Sequence, residues 1–391
     1  MNQSTDTLIV GAGPFGLGLA AYFQKRRHDY QIVGKPMEFW KQHMPTGMLL
    51  RSNVNWYLDP DHHWTIDRFL TSHYPSRLST DPISREQYIA YMDWFRQQAG
   101  ISVTPSYVCL LSQDEHGFVA KLDNGNTVQA KQAVIATGFQ YFAHSPATLV
   151  TLLPAGRYQH SCDAVDMDVY KGKRVLLIGG RQSAFESAAL LQEAGASHTH
   201  ISYRHDTPRF EEADWSWVET LVEHMVDQPG WFRELSAEEQ DQYRYKLWAE
   251  GRLKVEPWLE KRVCLPGVTL HPHTEVVSAI LQPDHSLRIT LSSGEQIDVD
   301  EVILATGYQV NVARLPFLST SLQDVLVTRN GFPLLDLNFQ SSISGLYFSS
   351  FPAGQSFGPF FGFTVAVRTA AQLIGQALVS IEKRQLPSAK A

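Results

Sequence analysis

The sequence predicts an α/β protein made of two three-layer units, with the second unit inserted into the first. The main observation is a repeat, because a short apolar strand, a glycine-rich turn and an apolar helix occur twice. The first copy is TLIVGAGPFGLGLAAYFQ, where Gly11, Gly13 and Gly16 have the spacing G-x-G-x-x-G. The second is RVLLIGGRQSAFESAALL, whose turn begins at Gly179. This order of elements is typical of the strand–helix–strand unit of a parallel sheet.

The second observation is that both copies end alike. The first ends in the strand pattern NGNTVQAKQAVIATGFQ, and the second in SGEQIDVDEVILATGYQ. The triplet Ala-Thr-Gly ends at Gly138 in one copy and at Gly307 in the other, which is 127 and 128 residues after the first glycine of each turn. Matched motifs at matched spacing predict two Rossmann-like, dinucleotide-binding units.

The repeat also predicts where the domains lie. Residues 1–165 and 310–391 are expected to form the first domain. Residues 166–309 are expected to form the second, which carries a helical segment at 211–262. A strand, GLYFSSF, and a helix from about residue 364 to 381 follow the second copy and have no repeat partner. We therefore expect the chain to return and complete the first domain.

Composition excludes several classes of function. The formal net charge of −7 argues against a nucleic-acid surface. The three cysteines, Cys109, Cys162 and Cys264, are far apart, so a short-spaced redox dithiol or zinc knuckle is excluded. Sparse cysteines favour a reducing compartment. With neither a signal peptide nor a membrane span predicted, we expect a cytoplasmic protein.

The glycine turns have the chemistry of a phosphate site. The first glycine permits the tight turn, the second lets the backbone approach a pyrophosphate, and the third packs helix on strand. The phosphate then lies at the helix N-terminus, near free N–H groups. The residues predicted to bind a cofactor in this way are Gly11, Gly13, Pro14, Phe15 and Gly16 in the first copy and Gly179, Gly180, Gln182, Ser183 and Ala184 in the second.

Arg181 stands where the first copy has Gly13. Its side chain keeps the backbone further from a pyrophosphate, but its guanidinium can pair with phosphate oxygens. We interpret the second turn as a modified but working cofactor site. The alternatives are weak cofactor binding, or an arginine that only braces the fold.

The residues after the second strand of each copy bear on nucleotide preference. A carboxylate usually binds the ribose there, but the first copy has Lys35, with Glu38 as the nearest acid. The second copy has Arg204 and His205. Because a basic group favours a 2′-phosphate, this site is predicted to prefer NADPH over NADH. An exposed arginine at a strand end is the structural alternative.

Two dinucleotide units that each end in Ala-Thr-Gly resemble the two-domain flavoproteins. Within them, the chain is most similar to the flavin-containing monooxygenase-like family, which is related to the flavin N-hydroxylases and Baeyer–Villiger monooxygenases. In PAGRYQHSCDA, three residues match the family signature F-x-G-x-x-x-H-S, namely Gly156, His160 and Ser161, whereas Pro154 replaces the aromatic residue. The disulfide reductases of this superfamily fit less well, because the chain lacks a cysteine pair and a Gly-Asp near its C-terminus.

The resemblance implies FAD in the first site and NADPH in the second. It implies that NADPH reduces FAD and that O2 then forms a C4a-hydroperoxyflavin, which transfers one oxygen atom to a small nucleophilic substrate. Amine, thioether and ketone all remain open as substrates, and a homodimer is one expectation for the oligomeric state. The alternatives are a flavin reductase that passes electrons to a protein acceptor and a non-catalytic redox sensor.

The resemblance also implies site residues. Asn53 or Asn55, in MLLRSNVNWYLDP, would hydrogen-bond the hydroperoxide or the flavin N5 region, with a turn asparagine as the alternative. Further cofactor contacts are predicted at Trp40, Arg51, Ser52, Thr137, Gly138, Thr306, Gly307, Gln355, Ser356 and Phe357. Trp56 and four aromatic residues of the helical segment either line a substrate entrance or belong to the core: Trp215, Trp217, Trp231 and Phe232. No metal is predicted, since the histidine pairs lack acidic or cysteine ligands.

Overall fold

The computed structural model describes residues 2–385, which form 19 strands and 13 α-helices. The strands are β1 Asn2–Val10, β2 Tyr30–Val33, β3 Val103–Thr104, β4 Val108–Asp114, β5 Gly117–Leu122, β6 Thr127–Ile135, β7 Tyr158–His160, β8 Arg174–Ile178, β9 His198–Ser202, β10 Arg209–Phe210, β11 Lys254–Val255, β12 Val268–His271, β13 Val276–Leu281, β14 Leu287–Leu291, β15 Gln296–Val299, β16 Glu301–Leu304, β17 Thr328–Arg329, β18 Phe332–Pro333 and β19 Leu346–Phe348. The helices are α1 Pro14–Arg26, α2 Glu38–Gln42, α3 Ile66–His73, α4 Arg85–Gln98, α5 Ala147–Leu152, α6 Gln182–Glu193, α7 Ser216–His224, α8 Trp231–Glu234, α9 Ala237–Arg252, α10 Glu260–Val263, α11 Thr320–Val325, α12 Gly354–Phe357 and α13 Val367–Gln385.

The first sheet has the strand order β3-β2-β1-β6-β5-β4, and β19 also pairs with β6. β1 runs parallel to β2 on one side and to β6 on the other, with Val10 opposite Ile135. The glycine turn after β1 and the Ala-Thr-Gly triplet after β6 therefore meet at the same edge of the sheet. β19 pairs in parallel with β6, so the chain returns to the first sheet after the second unit.

The second unit contains a parallel sheet of order β12-β9-β8-β16-β7 and a separate antiparallel sheet of β13, β14 and β15. The first sheet combines parallel pairs with the antiparallel pairs β4–β5 and β5–β6, whereas the five-stranded sheet of the second unit is parallel. This architecture confirms the predicted fold class, a second Rossmann-like unit inserted in the first. β7 precedes the predicted boundary at residue 166, yet it pairs with β16 in the second sheet. The predicted domain limits therefore stay a prediction, and this strand belongs to the second sheet.

The two glycine turns obey the same steric constraint. Gly11 has φ +115°, and a Cβ placed there would lie 2.5 Å from the carbonyl oxygen of Ala136. Gly179 has φ +135°, and its Cβ would lie 2.4 Å from the carbonyl oxygen of Ala305. Each turn is thus pressed against the strand end that leads into Thr-Gly, which explains why the two motifs recur at a constant spacing.

The helical segment at 211–262 packs largely on the first unit. Val218, Val222 and Phe232 are buried in the same core as Leu8, Ile9 and the rest of the first sheet. Trp215, Trp217 and Trp231 pack against that core while remaining partly exposed. The segment therefore joins the two units, and its role as a substrate entrance remains a prediction.

Candidate functional site

A long cleft lies along the carboxyl ends of β1, β2 and β6. It encloses about 1020 Å³ of space not filled by protein atoms, which includes space open to solvent. Nine of the predicted cofactor residues line it: Gly11, Gly13, Pro14, Phe15, Lys35, Glu38, Trp40, Thr137 and Gly138.

The glycines of the first turn are required for different reasons. A Cβ at Gly16 would lie 1.9 Å from the carbonyl oxygen of Gly11, so the fold itself needs glycine there. Gly13 is the N-cap of α1, and a Cβ there would meet nothing within 4 Å. The space beside Gly13 opens into the cleft, where the N–H groups at the start of α1 can bind an anion.

A polar cluster closes the end of the cleft beyond β2. The Tyr107 hydroxyl donates to Glu38 Oε2, and Lys35 Nζ lies 3.4 Å from Glu38 Oε1. Lys35 also lies 4.7 Å from the centre of the Tyr107 ring. Glu38 thus places a carboxylate in the cleft, although it stands four residues after Gly34 and not directly after β2, where the ribose carboxylate usually lies. Sequence reasoning missed Tyr107, because it lies beyond a different strand, β3.

The other end of the cleft meets the Ala-Thr-Gly triplet and the approach to α13. The Thr137 hydroxyl is buried and has no hydrogen-bond partner among residues 2–385. Gly362, Phe363 and Thr364 line the cleft here and were not predicted. No sequence motif marks this GFT stretch, which reaches the cleft only through the fold.

The predicted residues Gln355, Ser356 and Phe357 are not among those that line the cleft. The Phe357 ring is buried and stacks on Phe339 with ring centres 3.7 Å apart. The Ser356 carbonyl oxygen accepts a hydrogen bond from Arg233 Nε at 3.1 Å. Their contact with a flavin stays a prediction, and the short helix that contains them packs into the core.

The loop with the predicted catalytic asparagines lies outside the residues that line the cleft. Asn53 and Asn55 are both exposed, and Asn53 Oδ1 accepts the backbone N–H of Asn55 at 3.0 Å. This is the geometry of an asparagine turn, although it does not test the catalytic role. Ser52 is half-buried in the same loop. Trp56 is buried and meets Trp215 edge to face at 5.9 Å.

The second glycine turn is shaped by aromatic side chains. A Cβ at Gly180 would lie 2.4 Å from Tyr203 Cβ and 2.9 Å from His205 Cε1, so packing requires glycine there. Arg181 is the N-cap of α6. Its guanidinium donates to the carbonyl oxygen of Arg252 and lies 5.3 Å from the Trp248 ring centre. Burial lowers the pKa of Arg181.

The remaining predicted residues of the second site surround this turn. Gln182 Oε1 accepts the backbone N–H of Glu256 at 3.0 Å. Arg204 is 79% exposed and lies 3.8 Å from Glu275, so its guanidinium is accessible. His205 Nδ1 lies 2.7 Å from the Asp206 carbonyl oxygen. Ser183 is exposed, Ala184 is buried, and Thr306 donates to the carbonyl oxygen of His144.

His160 is a buried histidine whose two ring nitrogens both have partners. Nε2 lies 3.0 Å from the Gly307 carbonyl oxygen, which can only accept, so Nε2 carries the proton. Nδ1 then accepts from the Cys162 backbone N–H at 3.2 Å and lies 3.0 Å from Cys162 Sγ. Burial lowers the pKa of His160 and raises that of Cys162 to about 12. His160 thereby joins β7 to the end of β16.

One group of potential metal ligands occurs within residues 2–385. The ligand atoms of His43, Cys162 and Asp163 lie within 4.8 Å of one another. However, His43 Nδ1 is 3.1 Å from the Cys162 carbonyl oxygen, and Cys162 Sγ is next to His160. Asp163 Oδ1 accepts from the Cys162 thiol at 3.8 Å, so all three ligand atoms already have hydrogen-bond partners. The absence of a metal stays a prediction.

The histidines of β9 and β12 form a hydrogen-bonded chain. His200 Nδ1 lies 3.0 Å from His271 Nε2, and His271 Nδ1 lies 3.1 Å from Glu295 Oε2. Burial lowers the pKa of His200 to about 4, and the neighbouring His198, His271 and Arg174 add to this. These histidines connect strands rather than face the cleft.

Acid is expected to destabilise the second unit through His200. An unfolded histidine titrates near pH 6.5, so the unfolded chain binds the proton first. The contribution of neutral His200 is complete above about pH 6.5 and is lost as the pH falls toward about 4. Replacement of His200 by glutamine should flatten the pH dependence of the melting temperature in this range. Identical profiles for the two proteins would contradict the assignment.

Comparison with known proteins places the chain in a family. The sequence profile of the family described as pyridine nucleotide-disulphide oxidoreductase matches residues 8–244. This is more than half of the chain, and the chain belongs to this family. The described cysteines are all free, with Cys109 and Cys264 exposed and Cys162 buried, so no disulfide pair accompanies the family fold in residues 2–385.

Two curated relatives are monooxygenases or hydroxylases by name. The FAD-dependent urate hydroxylase of Xanthomonas campestris pv. campestris is 24% identical over 220 residues, which cover 51% of this chain and 45% of the relative. The probable indole-3-pyruvate monooxygenase YUCCA9 of Arabidopsis thaliana is 25% identical and covers 88% of this chain and 83% of the relative. The chain thus spans less than half the length of the first of these relatives.

Solved structures share the fold at low sequence identity. The ornithine N-hydroxylase of Kutzneria sp. 744 superposes with a TM-score of 0.80 at 17% identity, covering 97% of this chain and 100% of that one. The bacillithiol disulfide reductase of Staphylococcus aureus gives a TM-score of 0.65 at 16% identity, covering 97% of this chain and 99% of that one. No helix among the described residues combines the length and apolar character that a membrane crossing requires.

Proposed function

We propose that the chain is an NADPH- and O2-dependent flavin monooxygenase that holds FAD in the cleft of the first unit and NADPH at the second glycine turn. The observation that carries this proposal is Gly13. The fold would accept a side chain there, yet the position is glycine and faces the cleft at the start of α1. Close approach of a pyrophosphate explains that choice.

The residues of the cleft fit a flavin dinucleotide along its length. The start of α1 would hold the pyrophosphate, and Glu38, oriented by Tyr107, would accept hydrogen bonds from the ribose. The unpaired Thr137 hydroxyl and the rings of Phe139 and Phe363 would contact the flavin end. When bound, FAD would take electrons from NADPH and use them to activate O2 for transfer of one oxygen atom.

The main contribution of the protein would be to shield the reacting centre from water, and it would supply few acid–base groups. Phe363 lines the cleft, and its ring lies 6.5 Å from that of Trp56 and 6.0 Å from that of Trp215. This aromatic wall would exclude water from the reacting centre. We propose a small amine, thioether or ketone as the substrate. Cytoplasmic location and a homodimer also remain predictions.

Steady-state turnover tests the proposed reaction. The FAD-loaded protein is incubated with NADPH and a panel of amines, sulfides and ketones while NADPH, O2 and product are measured. A monooxygenase should consume NADPH and O2 in equal amounts and form an oxygenated product with at least one class. NADPH oxidation only with an added electron-acceptor protein would indicate a reductase instead. Flavin that NADPH cannot reduce would indicate a redox sensor.

Replacement of Arg204 by alanine should narrow the preference for NADPH over NADH. The side chain is exposed at the end of β9, where a 2′-phosphate would lie, and loss of one charge-assisted contact corresponds to roughly a tenfold change. The ratio of kcat/KM for the two nucleotides measures this. Arg209→Ala is the control, because Arg209 is also exposed and also lies beside a carboxylate, that of Glu211, but belongs to β10 and not to the end of β9. An unchanged ratio for Arg204→Ala would remove Arg204 from phosphate recognition.

A further inference from the structure

Residues 250–256 form a strap that runs between the two units, and the first unit holds it through Arg51. Arg51 Nε donates to Glu256 Oε1 at 2.6 Å. Its two terminal nitrogens donate to the carbonyl oxygens of Gly251, at 2.9 Å, and Glu250, at 3.3 Å. All three guanidinium nitrogens of Arg51 are therefore used on the strap.

The second unit holds the same strap from the opposite side. The backbone N–H of Glu256 donates to Gln182 Oε1 at 3.0 Å, and the carbonyl oxygen of Arg252 accepts from the Arg181 guanidinium. Arg181 is the N-cap of α6, and Gln182 is the first residue of that helix. The strap thus lies directly against the start of the helix that follows the second glycine turn.

The link between Arg51 and Glu256 is sheltered from water. The Glu256 side chain is 5% exposed and that of Arg51 is 16% exposed, and Arg51 also lies 5.4 Å from the Trp215 ring centre. Exposed ion pairs contribute little, because solvent screens them and their side chains are mobile. A buried arginine that makes several hydrogen bonds fixes the relative position of its partners.

We infer that Arg51 and Glu256 are positioning residues for the second dinucleotide site. They fix the position of the strap. The strap in turn holds Arg181 and Gln182 where the pyrophosphate of a pyridine nucleotide would bind. This inference rests on the proposed function of the second turn. It assigns to Arg51, a residue of the first unit, an effect on nucleotide binding by the second unit.

Calorimetric titration of NADP⁺ into the full-length, FAD-loaded protein tests the inference. Arg51→Met keeps the length of the side chain and removes its donors. We expect its Kd for NADP⁺ to rise roughly tenfold, the equivalent of one lost hydrogen bond to a charged group, while FAD content is unchanged. Arg51→Lys, which keeps the charge and one donor toward Glu256, should recover part of the affinity.

Arg174→Met is the matched control. Arg174 makes a two-nitrogen ion pair with Asp300 in the same unit, but it begins β8 and so lies at the opposite end of that strand from the glycine turn. The Kd of the Arg174→Met variant for NADP⁺ should equal that of the wild type. If Arg51→Met does not fold, Glu256→Gln replaces it, and its Kd should rise at least twofold.

Each result has a distinct meaning. Wild-type protein that does not bind NADP⁺ would refute the proposed function itself. Wild-type affinity in Arg51→Met, or in Glu256→Gln where that variant is used, would overturn the positioning role alone. Loss of FAD from Arg51→Met would also overturn it, because Arg51 would then act on the first site. Equal losses of NADP⁺ affinity in Arg51→Met and Arg174→Met would indicate a general effect of removing an ion pair.

Discussion

Gly13→Val is expected to give a folded chain that has lost most of its affinity for FAD. Gly13 has extended backbone dihedrals, with φ −87° and ψ −169°, which a β-branched residue adopts without strain. A Cβ there meets no protein atom within 4 Å, so the flavin-free chain has room for the first carbon of a side chain. The side chain would instead occupy the space of the pyrophosphate. Overpacking typically costs about 1–3 kcal/mol, so the affinity should fall roughly five- to 150-fold.

The measurement compares flavin content, from absorbance near 450 nm, with the melting temperature of the flavin-free proteins. Gly13→Val should melt like flavin-free wild type. Gly16→Ala should melt lower, because its Cβ would lie 1.9 Å from the Gly11 carbonyl oxygen. Gly354→Ala is the neutral control, since the nearest atom to its Cβ is 3.9 Å away and the residue is not in the cleft lining. Full flavin occupancy in Gly13→Val would place the cofactor elsewhere.

Arg368→Met is expected to lower the stability by about 2–3 kcal/mol. Arg368 is only 4% exposed and joins three parts of the chain. Its guanidinium donates to the carbonyl oxygen of Asn55, and to Glu219 and Glu223 at 3.1 and 2.6 Å. Its removal leaves two neighbouring carboxylates without their counter-charge and the carbonyl oxygen of Asn55 without this donor. The loop of the predicted catalytic asparagines, α7 and α13 would all lose a shared contact.

Differential scanning calorimetry of the FAD-loaded protein measures this loss. The control is Arg288→Met, because Arg288 pairs with Asp298 on an exposed hairpin and is 46% exposed. Exposed pairs contribute about 0–1 kcal/mol, so the control should melt close to the wild type. If Arg368→Met melts no lower than the control, Arg368 does not hold these three elements together.

The fold was predictable because its determinants are local and repeated. Gly11 and Gly179 each lie between a buried strand and a helix, and each is pressed against the strand end that precedes Thr-Gly. The dinucleotide-binding strand–turn–helix unit requires this arrangement, and the sequence shows it twice at nearly the same spacing. The position of β7 was less predictable, since three residues carry little periodicity.

The cleft was predictable where it follows the glycine turn and uncertain elsewhere. Gly13, Thr137 and Gly138 line the cleft where the motif places them. Tyr107 and Phe363 reach the cleft from segments distant in sequence, and no motif marks them. Phe357 was placed at the flavin because its surroundings are rich in glycine, but its ring packs on Phe339. The GFT stretch that lines the cleft begins five residues after Phe357.

The strap illustrates a second limit of sequence reasoning. Arg51 was predicted to bind a cofactor, and the structure places its guanidinium on Glu256, more than 200 residues later. Such contacts depend on how the two units and the helical segment 211–262 pack against one another. Neither composition nor motif spacing predicts that packing directly. Arg181 is a related case, because its guanidinium contacts the strap in the structure while its role toward phosphate stays a prediction.

Anaerobic rapid mixing of the FAD-loaded protein with NADPH tests the central claim most directly. The claim is that the two glycine turns bring FAD and NADPH together for electron transfer. It predicts loss of the flavin absorbance near 450 nm, faster with NADPH than with NADH, and its return when oxygenated buffer is added. A flavin that light can reduce but NADPH cannot would contradict the claim.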